Sequence, residues 1–171
     1  MTVHRTKPLP ELRAHGHLIV SQTVVQRSRE LLRQDADTRA HEALVWWLGR
    51  QVGGDTIVLG CHKPTCRSGP QFVKVSEAAT GNAARAARTL RLGIVAQVHS
   101  HPGTDTRHSD GDDDLVLMPF PGMFSLVVAN YGTGSLLPEQ GAGLHQFQDG
   151  RWVLIRQPSP ALIIVPAEVA S

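Results

Sequence analysis

The stretch Ala96-Gln97-Val98-His99-Ser100-His101-Pro102 narrows the possible folds more than any other part of the chain. It ends an apolar run, Ile94 to Val98, with two histidines two residues apart. In a strand, residues i and i+2 share a face roughly 6.6 Å apart along the backbone, so His99 and His101 can lean onto one ion at about 2.0–2.1 Å each. Pro102 cannot continue a ladder and ends the strand directly after the second histidine. Beyond a loop, Ser109 is a natural helix N-cap, which puts Asp112 at the third helical position. A carboxylate there can point back out of the helix start toward the histidines, with Asp113 one residue on as the alternative. Two histidines and one aspartate leave the fourth position of a tetrahedral ion open, as catalytic zinc sites do and structural sites do not. The fold must therefore bury a strand that ends beside the start of a helix.

A His-x-His pair alone carries little weight in a chain with nine histidines, and His15-Gly16-His17 reads as a chance pair. The spacing H-x-H-x7-S-x-x-D, set on a strand, a proline and a helix start, carries far more.

Composition bounds the rest. A length of 171 residues suits one domain, and 41% hydrophobic with 19% charged residues describes an ordinary globular protein. A net charge of +2 is too small to argue for nucleic acid or a membrane surface as the main partner. No apolar run approaches the roughly 18 residues of a membrane-spanning helix. The N-terminal residues lack the apolar core of a secretion signal, so a cytoplasmic location is expected. Cys61 and Cys66 are the two cysteines. They read as free thiols; with His62 between them they are one ligand short of a second zinc site, and nothing suggests the oxidising compartment a disulfide needs.

Along the chain, residues 1–16 carry two prolines and no periodicity, and read as a loose arm ahead of a domain over 17–157. His17 to Val20 reads as a strand, and Ser21 as the cap of a helix that Asp35-Ala36-Asp37-Thr38 breaks. Residues 39–50 fit a helix or a buried strand; the Gly-rich turn at Val52-Gly53-Gly54-Asp55 favours a strand hairpin with Thr56 to Leu59. Glu42 then stands at the entry of a buried strand, sharing a face with Leu44, Trp46 and Leu48. Buried carboxylates are rarely left unpaired, so Glu42 is a candidate functional group, although a solvated strand-entry carboxylate is the commoner case. Residues 62–79 read as irregular with a short strand over 71–75. Thr80 opens a helix that Gly93 stops, with Arg85, Arg88 and Arg91 on its solvated face. A helix from Ser109 to about Met118 follows the histidine strand. Three strands come next, over 123–129, 143–148 and 151–156, the last two joined by a tight Asp149-Gly150 turn. Residues 158–171 read as a tail or one more edge strand.

Taken together, Glu42, His99-Ser100-His101, Ser109 and Asp112 resemble the signature of the JAMM metalloproteases, also called JAB or MPN+ domains. In that family an upstream glutamate precedes H-x-H-x7-S-x-x-D. The likeness spans roughly residues 17–157 and implies a single mixed α/β (α+β) domain of the cytidine-deaminase-like kind, with a central, curved, mostly antiparallel sheet flanked by helices. It implies one catalytic Zn²⁺ held by His99, His101 and Asp112 with a water in the fourth position. Glu42 would be general base and then acid, and Ser109 a hydrogen-bond donor to the oxyanion. It implies cleavage after the C-terminal glycine of a ubiquitin-like protein, by deconjugation or precursor processing, with the cognate activating or conjugating enzymes as further partners. Phe72 and Val73 occupy the place where relatives pin the Gly-Gly tail by strand addition. The compact size and the form His-Ser-His-Pro-Gly are similar to bacterial members. The short passage from Met118 to Gly122 leaves no room for the second insertion used by linkage-selective relatives. Two alternatives stand beside this one: release of an amino acid or small amine from a sulfur-carrier protein, and a catalytically silent MPN scaffold.

Overall fold

The computed structural model describes residues 3–116 and 118–168. Its first elements are β1 (Glu11–Leu12), β2 (Leu18–Ser21) and α1 (Gln22–Arg39). Ser21 caps α1, its hydroxyl accepting the Val24 N–H at 3.3 Å. The helix runs through Asp35 to Thr38, which the sequence reads as its break, and ends at Ala40 in the left-handed region. Asp35 lies 2.7 Å from the Lys63 ammonium, a tertiary partner that local propensity does not include.

The ambiguous run after Glu42 is a strand, β3 (Leu44–Val52), turning through Gly53 and Gly54 into β4 (Asp55–His62). Leu44 to Trp47 are buried on both faces, which is why apolar periodicity could not choose between helix and strand. At Gly49 the ladder with β4 shifts register, and a Cβ there would overlap the Ile57 carbonyl oxygen. The segment over 62–79 is more regular than its composition suggests: β5 (Cys66–Gly69) and β6 (Phe72–Val75) form a separate hairpin. α2 (Glu77–Thr89) begins three residues before the expected Thr80, because Ser76 takes the cap by accepting the Ala79 N–H at 3.1 Å.

β7 (Gly93–Ser100) carries His99 and stops one residue short of His101. α3 (Asp110–Asp113) is a single turn, shorter than the helix expected to Met118, and Leu117 lies outside the described residues. β8 (Phe124–Val128), β9 (Gly143–Gln148), β10 (Arg151–Ile155) and β11 (Leu162–Val165) complete the chain. Asp149 and Gly150, both at positive φ, make the tight turn between β9 and β10.

Nine strands form one mixed, curled sheet in the order β1-β10-β9-β8-β7-β3-β4-β2-β11. Its longest ladders are antiparallel, β3 with β4 and with β7, and parallel pairs join β7 to β8, β4 to β2 and both edges. The arm read as loose is docked: β1 pairs parallel with β10, and residues 3–6 lie against the loop before α3. The tail contributes β11, an edge strand parallel to β2; the last residues of the expected tail, 169–171, lie outside the described residues.

Alternation along the central strands sorts side chains onto two faces. Val45, Trp47, Ala96 and Val98 face the core beneath α1, with Leu32, Phe124 and Leu126. Leu44 and Trp46 point the other way, into a smaller cluster with Val73 and Ala83. By the same alternation His99 shares the face of Leu44, which is its direct partner across the β3–β7 ladder. This second face carries the site.

Candidate metal centre

Register brings the distant glutamate to the histidines. Leu44 pairs with His99, and the ladder continues with the Ser100 N–H donating to the Ala43 carbonyl at 3.0 Å. One step further along the same antiparallel register, Glu42 stands opposite His101. The Glu42 N–H donates to the Gly69 carbonyl at 2.9 Å, tying the β5–β6 hairpin to the same spot. His101 itself is pinned through its backbone: its N–H donates to Val128, and its carbonyl accepts from Tyr131 at 2.7 Å. Asn130 and Tyr131 hold positive φ to make that contact, a conformation that persists only where its surroundings demand it.

Three donor atoms converge. His99 Nε2 and His101 Nε2 lie 3.3 Å apart, Asp112 Oδ2 is 3.0 Å from the second and Asp112 Oδ1 is 3.3 Å from the first. All three residues are buried. A tetrahedral ion with bonds of about 2.0–2.1 Å sets its ligands about 3.3–3.4 Å apart, so the spacing fits a first-row metal with little adjustment. His101 Nδ1 lies 2.8 Å from the Asp105 carbonyl, which can only accept, so Nδ1 carries a proton and Nε2 is the nitrogen left to give a lone pair to a metal once its own proton is released. Asp113, the alternative third ligand, points elsewhere, to Arg5 at 3.0 Å and His108 at 3.1 Å. The donor set therefore fits Zn²⁺ through His99, His101 and Asp112.

Asp112 owes its place to a capping box. The Ser109 hydroxyl accepts the Asp112 N–H at 3.1 Å, while the Ser109 N–H and hydroxyl both donate to Asp112 Oδ2, at 2.6 and 2.7 Å. Burial disfavours the Asp112 charge, but the His99 charge and the hydrogen bonds to both histidines outweigh it and hold the carboxyl far below the usual range. For His101, burial works against the imidazolium and is outweighed by the Asp112 hydrogen bond and charge, leaving its pKa raised.

Glu42 is 5% exposed, and its carboxyl is pushed up to about 7, chiefly by burial, against a smaller lowering by His101. It lines one cleft of about 640 Å³ together with His101, Ser109 and Asp112. Residues 71–75, around β6, line the same cleft. Phe72, 42% exposed, faces this cleft, whereas the Val73 side chain turns inward beside Leu44 and Trp46 and presents only backbone. Among the described residues β6 pairs on one side alone, with β5. Cys61 and Cys66 are both half-buried free thiols whose pKa values burial raises, and neither is part of the one metal-ligand group found among the described residues.

Sequence reasoning missed the wall behind the cluster. His108 is wholly buried, 5.6 Å from the His99 ring and stacked at 4.1 Å on His145. Its Nε2 meets the Ser125 hydroxyl at 2.8 Å, and Ser125 also accepts from Gln97. His145 Nδ1 donates to the Gly143 carbonyl, leaving its Nε2 to accept the His108 N–H at 3.1 Å. Burial pushes both imidazoles well below their ordinary pKa, so they stand neutral. The one available signal was that His108 sits inside the motif, next to Ser109. Gly143 is required here, since a Cβ would strike the Thr106 carbonyl of the motif loop.

Comparison with known proteins bears on the family and the fold. Residues 25–137 match the family described as prokaryotic homologs of the JAB domain. A solution structure of a protein from Desulfitobacterium hafniense superposes with a TM-score of 0.63 at 17% identity, covering 90% of this chain and 95% of its own. Another, of a protein from Salinibacter ruber, gives 0.54 at 20% identity, covering 83% of this chain and 92% of its own. At these identities the likeness is one of fold. Among curated proteins no sequence matches. Among the described residues no helix is long and apolar enough to cross a membrane.

Proposed function

The chain belongs to the family of prokaryotic homologs of the JAB domain, and on that premise we propose that it is a zinc-dependent isopeptidase or peptidase cleaving after the C-terminal glycine of a ubiquitin-like protein. The observation that carries the reading is a buried carboxylate, Glu42, lining one cleft with His101 and Asp112 of a three-ligand cluster. When bound, zinc supplies Lewis acidity, lowering the pKa of water to about 7 and polarising a carbonyl.

The chain's own groups do the rest. Glu42, with a pKa near neutrality in the metal-free protein, takes a proton from the attacking water and returns it to the leaving amine. Ser109 donates to the oxygen of the scissile carbonyl as charge develops on it. Its hydroxyl proton now rests on Asp112 Oδ2, where the Ser109 N–H provides a second donor, so the hydroxyl can turn to substrate without stripping that oxygen bare. The open edge of β6 offers backbone groups to an extended tail, and Phe72 offers apolar contact beside it. A Gly-Gly tail, having no side chains, would be the thinnest segment to lie in this cleft.

The test is cleavage of a fusion carrying a ubiquitin-like C-terminal tail linked to a fluorophore. Wild type loaded with zinc should release the fluorophore; chelated enzyme and Glu42→Gln should not. Release of small amines but not of protein leaving groups would replace the protease by a sulfur-carrier hydrolase. Metal binding without any hydrolysis would leave a silent scaffold.

A further inference from the structure

The carboxylate ligand comes from the least self-sufficient element of the fold. α3 has a single turn, and a helix that short is not stable on its own. His99, by contrast, is held in a strand paired on both sides. Something outside the motif must therefore hold α3 and its loop, and the N-terminal arm is placed to do it. The Arg5 guanidinium donates to the His108 carbonyl at 2.9 Å, to the Ser109 carbonyl at 3.3 Å and to both oxygens of Asp113, at 3.3 and 3.0 Å. Its side chain is 15% exposed although it belongs to an arm. Around it, the Asp110 N–H donates to the His4 carbonyl, Thr6 N–H to the Asp110 carboxylate, and Val3 N–H to Asp105 Oδ2.

The contacts to Ser109, Asp105 and Asp113 each lead to a ligand. Ser109 is the cap that fixes Asp112. Asp105 supplies the carbonyl that orients His101. Asp113, gripped by Arg5, also accepts from His108 Nδ1, and the His108 ring packs against His99. We propose that Arg5 is a positioning residue of the metal centre: the N-terminal arm, through Arg5, fixes the loop that presents Asp112 and backs His99. A planar guanidinium suits this task because it satisfies two carbonyls and a carboxylate from one rigid fork, which a lysine ammonium does not. The inference rests on the reading of His99, His101 and Asp112 as metal ligands.

The experiment measures metal affinity in the full chain. Wild type, Arg5→Ala and Arg5→Lys are titrated with Zn²⁺ in competition with a chromophoric chelator, and with Co²⁺ to record the visible absorption that reports ligand geometry. Thermal midpoints are taken with and without metal. Arg5→Ala should bind Zn²⁺ about 10- to 100-fold more weakly, the scale typical for loss of a group supporting the ligands, and should change the Co²⁺ band. Arg5→Lys should fall between the two, and it keeps the test open if Arg5→Ala does not fold. A merely structural arm would lower the midpoints of metal-free and metal-loaded protein equally and leave affinity and spectrum unchanged, which overturns the proposal. If wild type itself binds neither ion, the metal-centre reading fails and takes the proposal with it. If wild type binds and the variants match it, only the role of Arg5 fails.

Discussion

Replacing Glu42 by glutamine should stabilise the metal-free protein at neutral pH while abolishing turnover. Burial raises the Glu42 carboxyl from 4.5 to about 7. Below pH 4.5 the group is protonated in folded and unfolded chains alike and contributes no penalty. As pH rises from 4.5 toward 7 the unfolded chain releases the proton and the folded chain keeps it, so stability falls with pH. Above about 7 both states are ionised and the loss is constant. A shift of that size corresponds to about 3 kcal/mol, at 1.36 kcal/mol per unit. In a domain of this length that is roughly 6–12 °C in melting temperature. Glutamine has the same shape and no charge to desolvate, so it escapes the penalty. The assay is thermal or urea unfolding of chelator-treated wild type and Glu42→Gln between pH 5 and 8, with zinc content and tail cleavage measured on portions of the same proteins reloaded with zinc. The two stability curves should diverge as pH rises, with zinc binding retained and cleavage lost. Parallel curves would mean that the carboxylate ionises in the folded state as freely as in water, and the argument that burial poises it as a base would be wrong.

Other substitutions separate the remaining roles. His99→Ala should lose bound zinc, read by elemental analysis of the purified protein, because His101 and Asp112 alone give only two ligands. Ser109→Ala should lower turnover by about 10²–10³ and cost about 1 kcal/mol in unfolding free energy through loss of the cap. Phe72→Ala should raise KM for tail substrates while leaving kcat and zinc content unchanged, since Phe72 is exposed in the cleft and is not one of the ligands. Removing zinc from wild type should lower its melting temperature. At free metal 100 times the Kd the linkage amounts to about 2.7 kcal/mol, and a chelator titration followed by calorimetry reads it directly.

The fold was legible where local rules decide and obscure where distant contacts do. Ser21, Gly53-Gly54 and Asp149-Gly150 mark a cap and two turns by their own chemistry, and the structure has all three in place. Asp35 to Thr38 reads as a break because Asp35, Asp37 and Thr38 are poor residues for a helix interior, yet Asp35 meets Lys63 from across the chain and the helix continues. Thr80 looked like a cap, but Ser76 stands in the extended conformation a cap requires, while the Thr80 hydroxyl turns back to the Ser76 carbonyl. The arm over residues 3–12 has no apolar period at all. Its order comes from hydrogen bonds spanning about a hundred residues, to Asp105, His108 and Asp110, and from pairing with β10. Nothing within the arm encodes them.

The same division runs through the candidate site. Each spacing in H-x-H-x7-S-x-x-D has a local meaning: two residues is the period of a strand, and three is the distance from an N-cap to the N–H it binds. That is why the relation of His99 to His101 and of Ser109 to Asp112 could be read directly. The serine of the pattern is accordingly a folding residue as well as a candidate catalyst, since its hydroxyl accepts from Asp112 N–H while donating to Asp112 Oδ2. A hydroxyl has one proton, so it cannot serve Asp112 and a developing oxyanion together. The Ser109 N–H on the same oxygen resolves the conflict, because it keeps the carboxylate oriented when the hydroxyl turns away. Alanine at this position keeps that N–H and loses only the hydroxyl. Zinc affinity should then fall far less than turnover, and an equal fall in both would show that the serine acts by holding Asp112 alone.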